Sequence, residues 1–177
     1  VRGATEGKIT EDKYFKQNVQ GAINNGIYVG VYFYSMAINE AEAVEEAEFV
    51  LNLINGYDIK YPVCYDFETY TDEFSSSGTP YRTYIACLYG SASYLKDTWD
   101  MNSFANYDTW VAHYYVSKPS YTGNYNLWQY TDNATVPGIK GAVDVDVDYT
   151  YYFRYHDVDI TNYLFDRCKC LCFLVNV

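Results

Sequence analysis

The feature that most constrains this chain is an order of elements: helix, strand, helix, strand, joined by short links, within its first 68 residues. Residues 12–25 place Phe15, Val19, Ala22 and Ile23 on one helical face, with Asp12 to cap the start and Asn25-Gly26 to end it. Residues 26–35, "GIYVGVYFYS", change to a period of two. Tyr28, Gly30, Tyr32 and Tyr34 point one way; Val29, Val31 and Phe33 point the other. A second helix is predicted over about 39–55, where Asn39 and Glu42 have capping-box spacing and Ala43, Ala47, Val50 and Ile54 mark the apolar stripe before Gly56. "PVCYDFE", residues 62–68, then reads as another strand. This is the rhythm of a parallel α/β sheet or barrel, in which functional groups collect at the C-terminal ends of strands.

That last strand raises a chemical question. Alternation puts Val63, Tyr65 and Phe67 on one face and Cys64, Asp66 and Glu68 on the other. Two carboxylates are thus aimed together into what reads as an interior, where an unpartnered charge is expensive. A solvated strand end would be the bland explanation. Their place at the C-terminal end of a strand in a βα rhythm favours function.

Beyond residue 69 the rhythm changes. "TDEFSSSGTPY" is a polar loop, and "RTYIACLYGSASYLKDTW" is apolar without a clear period. Three strand-like runs follow: "TWVAHYYV", "NLWQYTD" and "GAVDVDVDY". The last sets Asp144, Asp146 and Asp148 on one face against Val143, Val145 and Val147, and Asp148 is assigned to an ordinary exposed surface. Residues 154–177 do not fit the pattern; they read as a terminal helix or as a stretch past a natural boundary.

With 177 residues and 49% hydrophobic composition, one domain with a substantial core is expected. A net charge of −11 argues against nucleic acid and against an anionic membrane surface. No apolar run reaches the roughly 18 residues of a membrane span, and the opening Val-Arg-Gly-Ala-Thr-Glu is not read as a signal peptide. The 23 tyrosines suit either a β-rich core or a sugar-binding cleft, and composition does not separate the two. Five cysteines at 64, 87, 168, 170 and 172 lack zinc-site spacing and suggest no disulfide framework. With two histidines, a His-rich metal site is nearly excluded, and a triad through His113 has no nucleophile-elbow motif to support it. A divalent-metal site at D-x-E for phosphoryl chemistry would want basic and Gly-rich phosphate-binding segments, which are missing.

Taken together, these motifs resemble the glycoside hydrolase family 25 muramidases. "RGATEGKITEDKYFKQNVQGAINNGIYVGVYFYS" is similar to the family's second strand, the following helix and its third strand; "EAVEEAEFVLNLI" is similar to the next helix. "PVCYDFE" resembles the signature strand ending in D-x-E, and "YDTWVAHY", "LWQYTD" and "GIKGAVDVD" the closing strands, in the family's order. The resemblance covers about residues 2–153 and implies a domain over 1–153, with 154–177 a tail of unknown structure. The implied fold is an irregular TIM-like barrel, α/β first and mainly strands in its last part. The implied activity is hydrolysis of the β-1,4 bond between N-acetylmuramic acid and N-acetylglucosamine, acting outside the cell or after release at lysis. It implies no cofactor or metal, a monomer, and peptidoglycan glycan strands as partner.

By the same resemblance, Glu68 would be the general acid and Asp66 its partner carboxylate; mutual repulsion of the two charges predicts a raised pKa for Glu68. Asp144 would be a cleft acid, and Tyr32, Tyr34, Tyr114, Trp128 and Gln129 would line the sugar groove. Two departures stand out. The family's first strand, with a further active-site aspartate, has no counterpart here, and the stretch after Glu68 is short. The barrel is therefore expected to be incomplete, and the alternative function is an inactive, wall-binding remnant of such an enzyme.

Overall fold

The computed structural model describes residues 9–37, 39–66 and 87–150 with their side chains, and residues 86 and 173–176 as backbone. Helix α1 spans Phe15–Asn24, three residues later than predicted. Asp12 does not sit at its cap: its carboxylate accepts from the Tyr14 N–H (2.7 Å) and its carbonyl from the Phe15 N–H (3.0 Å), so it shapes the turn before the helix. Gly26, at φ 71°, takes the left-handed turn that leads into β1, Val29–Tyr34. Helix α2, Glu40–Ile54, starts where Asn39 Oδ1 accepts from the Glu42 N–H (3.0 Å) while the Asn39 amide donates to Glu42 Oε1 (2.9 Å). That is a side-chain variant of the capping box. Gly56, at φ 92°, ends the turn after it.

The remaining elements are β2 (Val63–Asp66), β3 (Ala86–Ser91), α3 (Ala92–Asp97), β4 (Asp108–Ala112), β5 (Leu127–Ala134), β6 (Val143–Asp148) and β7 (Phe173–Asn176). All seven strands form one sheet in the order β6-β5-β4-β3-β2-β1-β7. Every neighbouring pair is parallel except β5–β6. Two expectations need correcting. The apolar segment without a clear period is a strand–helix unit, β3 and α3, and part of the tail is a sheet strand, β7, alongside β1.

Alternation assigns the faces as predicted. Val29, Val31 and Phe33 pack with Phe15 and Val19 of α1 and Val50 and Ile54 of α2, against Val63 and Tyr65 of β2. Leu88, Val111 and Tyr121 pack with Ala92 and Leu95 of α3. The other face of the sheet gathers Cys64, Cys87, Tyr89, Trp110, Ala112 and Leu127, with Tyr32 and Tyr114 against them.

The sheet is curled around this second face. Tyr32 on β1 meets Trp110 on β4 with ring centroids 6.4 Å apart. In a flat sheet three strand spacings would separate them by about 14 Å. Tyr61, just before β2, donates to Asp148 Oδ2 on β6 at 2.9 Å, although three strands lie between β2 and β6. Helices α1, α2 and α3 therefore cover the convex side, and the concave side holds an interior of its own.

Candidate active site

The parallel strands β1–β5 share one direction, so their C-terminal ends form one rim of the concave face. Strand β6 runs the other way and brings its N-terminal residues, Val143 and Asp144, to the same rim. Asp66 ends β2 there. It is 6% exposed and lies beside Tyr34 of β1 and Tyr89 of β3 in the ladder. Its carbonyl accepts from the Ser35 N–H at 2.7 Å, which ties the end of β2 to the loop leaving β1. Glu68 lies outside the described residues.

That loop is anchored from below. Ser35 Oγ donates to Glu46 Oε2 (2.6 Å) and the Met36 N–H to Glu46 Oε1 (3.2 Å), with Glu46 fully buried in α2. Burial, together with the nearby Glu46 charge, pushes the Tyr65 hydroxyl up to about 12, against a lowering hydrogen bond with Ser35. A carboxylate in mid-helix, four residues ahead of Val50 on the apolar stripe, was not anticipated from sequence.

The concave face carries a connected set of side chains. The hydroxyls of Tyr89 and Tyr114 both donate to Gln129 Oε1, at 2.8 and 2.7 Å, and lie 3.3 Å from each other. The Tyr89 ring packs on Trp110 at 4.5 Å. Trp110 Nε1 donates to Asp146 Oδ1 at 2.7 Å. Asp146 is 3% exposed, and burial pushes its carboxyl up to about 7; the Trp110 hydrogen bond opposes this rise and the Asp144 charge adds to it.

The structure therefore brings Asp66, Tyr32, Tyr34, Tyr114, Gln129 and Asp144 to one face. It does not bring Trp128 there. Trp128 lies on the convex side with Val111 and Leu95 around it, and its Nε1 donates to the His113 carbonyl at 2.9 Å. Asp144 stays exposed at the rim, its carboxyl raised by partial burial and by the Asp132 charge. Asp148 corrects the exposed-surface assignment: it is half-buried, accepting from Tyr61 and from the Thr150 N–H (2.7 Å). Tyr89, Trp110 and Asp146 were not picked out as site residues, although the strand period puts Asp146 beside Asp144. His113 Nδ1 accepts from the Ser120 N–H at 3.0 Å, so that nitrogen is engaged by the backbone. Among the described residues no three His, Cys, Asp or Glu side chains converge as metal ligands.

This is a mainly parallel α/β protein whose concave, aromatic-walled face collects carboxylates at the strand ends. The chain belongs to glycosyl hydrolases family 25, whose family model matches residues 1–139. It is 32% identical over 154 residues to the autolytic lysozyme of Clostridium acetobutylicum, covering 81% of this chain and 46% of that protein. The CTP1L endolysin superposes with a TM-score of 0.69 at 26% identity, over 83% of this chain and 56% of the endolysin. The autolysin LytC of Streptococcus pneumoniae, solved with a synthetic peptidoglycan ligand, superposes with a TM-score of 0.60 at 26% identity, over 77% of this chain and 37% of LytC. The chain thus spans about half the length of the curated relatives it matches.

Proposed function

We propose that this chain hydrolyses peptidoglycan at the β-1,4 bond between N-acetylmuramic acid and N-acetylglucosamine, outside the cell or after lysis. The observation that carries the reading is Asp66: a buried carboxylate at the end of a central strand, on a concave face walled by Tyr32, Tyr34, Tyr89 and Tyr114. Family membership and the relatives named above support it. On this reading residues 1–153 are the catalytic domain, an irregular TIM-like barrel. The chain works as a monomer on glycan strands without a cofactor.

Glycoside cleavage needs one carboxyl that donates a proton to the leaving oxygen and one that stays ionised beside the developing positive charge. Glu68 is assigned the first role and Asp66 the second. The alternation read from the sequence would set the two Cα atoms about 6.6–6.8 Å apart, close enough for each charge to raise the other's proton affinity. Gln129, Tyr114 and Asp144 are assigned to holding sugar hydroxyl and N-acetyl groups along the rim. The test is release of reducing ends from purified peptidoglycan. Glu68→Gln should lower the rate at least about 100-fold, and Asp66→Asn should do likewise. Equal rates in wild type and Glu68→Gln would remove Glu68 from the chemistry.

A further inference from the structure

We propose that Tyr115 is the platform of a second sugar-binding position on the rim, holding a pyranose ring of the same glycan strand away from the bond being cut. This rests on the hydrolase reading and deepens it. Among the described residues Tyr115 is the most exposed large apolar side chain, at 72%. It is also the one non-glycine residue among them with positive φ, 57°. That conformation is unfavourable for an L-residue, and a ring left in water recovers none of the cost by burial.

The orientation is nevertheless held on three sides. The Tyr115 N–H donates to the Tyr130 carbonyl at 3.1 Å, its hydroxyl donates to Asp132 Oδ1, and its ring lies edge-on to Tyr114, centroids 6.3 Å apart. Tyr114 is itself tied to Gln129 and Tyr89, so the exposed ring continues the wall of the concave face. A fixed aromatic face suits the C–H surface of a pyranose. Asp132 and Asp144, close enough for their charges to interact, supply acceptors for the hydroxyl and amide N–H donors of an N-acetylated sugar. Their negative charge favours the uncharged N-acetylglucosamine ring at this place over N-acetylmuramic acid, whose lactyl carboxylate is free in a peptide-free glycan. Tyr115 is thereby a specificity residue for strand length.

The test uses the full chain with Glu68→Gln as a non-cleaving parent. Peptide-free oligosaccharides of alternating N-acetylglucosamine and N-acetylmuramic acid, two and six sugars long, are titrated by calorimetry. Adding Tyr115→Ala should weaken hexasaccharide binding roughly five- to tenfold and leave disaccharide binding within about twofold. Tyr115→Phe, which keeps the ring, should stay within about twofold of the parent for both. Hexasaccharide binding unchanged in Tyr115→Ala overturns the second position, as does an equal loss for both ligands. Glycan binding that depends on Tyr115, in a chain whose wild type releases no reducing ends, overturns hydrolysis and leaves the binding position standing. A parent that binds neither oligosaccharide overturns both readings.

Discussion

Asp146 has an unusual pH dependence built into its surroundings. Buried against Trp110, it keeps its proton up to about pH 7, whereas the ordinary aspartate value is 3.8. Between those values the folded chain binds more protons than the unfolded one, so this group's contribution to stability falls as pH rises from about 4 to 7. The full effect is on the order of 4 kcal/mol. Asp146→Asn keeps an oxygen to accept from Trp110 Nε1 and removes the titration. Thermal unfolding should show the variant close to wild type near pH 4 and clearly more stable at pH 8; parallel pH profiles would mean that another group titrates. The strand period made legible, strand by strand, that Tyr32 and Tyr34 share a face and that Asp144, Asp146 and Asp148 share one; Gln129 rested on the family resemblance alone. Depth was not legible, because it depends on the reversal of β6, which buries Asp146 and leaves Asp144 at the rim. Trp128 shows the same logic in reverse: one residue from Gln129 on a strand, it had to face the helices.

Among the elements, α2 and β1 are joined by polar groups as well as by apolar packing. Glu46 serves the Ser35 hydroxyl and the Met36 N–H, and Ser35 in turn serves the Asp66 carbonyl. Glu46→Ala leaves a buried hydroxyl and a half-buried N–H unserved and should cost roughly 2–4 kcal/mol in denaturant unfolding. Glu46→Gln, which can still accept, should cost less than half of that. Equal losses in the two variants would make packing volume, not hydrogen bonding, the function of this side chain. The helices and strands up to Asp66 were readable because each shows a single period and a stop signal. "ACLYGS" was not, because β3 packs apolar residues on both faces, Cys87 and Tyr89 on one and Leu88 on the other, so no alternation survives. Six-residue α3 is too short to show a stripe.

At the scale of the whole molecule, the sheet among the described residues ends at β6 on one side and β7 on the other. Strand β7 pairs along Val29–Tyr32 and so occupies the backbone donors and acceptors of β1. Removing residues 173–177 would bare that edge, and a bare edge is a template for pairing with another chain. Light scattering should then detect concentration-dependent association in the shortened chain and none in the full one; a monodisperse shortened chain would show that β1 is shielded by other means. Val29 and Phe173 are paired although roughly 140 residues separate them in sequence. During synthesis β1 leaves the ribosome long before β7 exists, and that seam of the fold closes only after the residues between them have been made. The cell must keep the young polypeptide from sticking to its neighbours through that wait, which makes chaperone supply and translation speed the settings on which its yield turns.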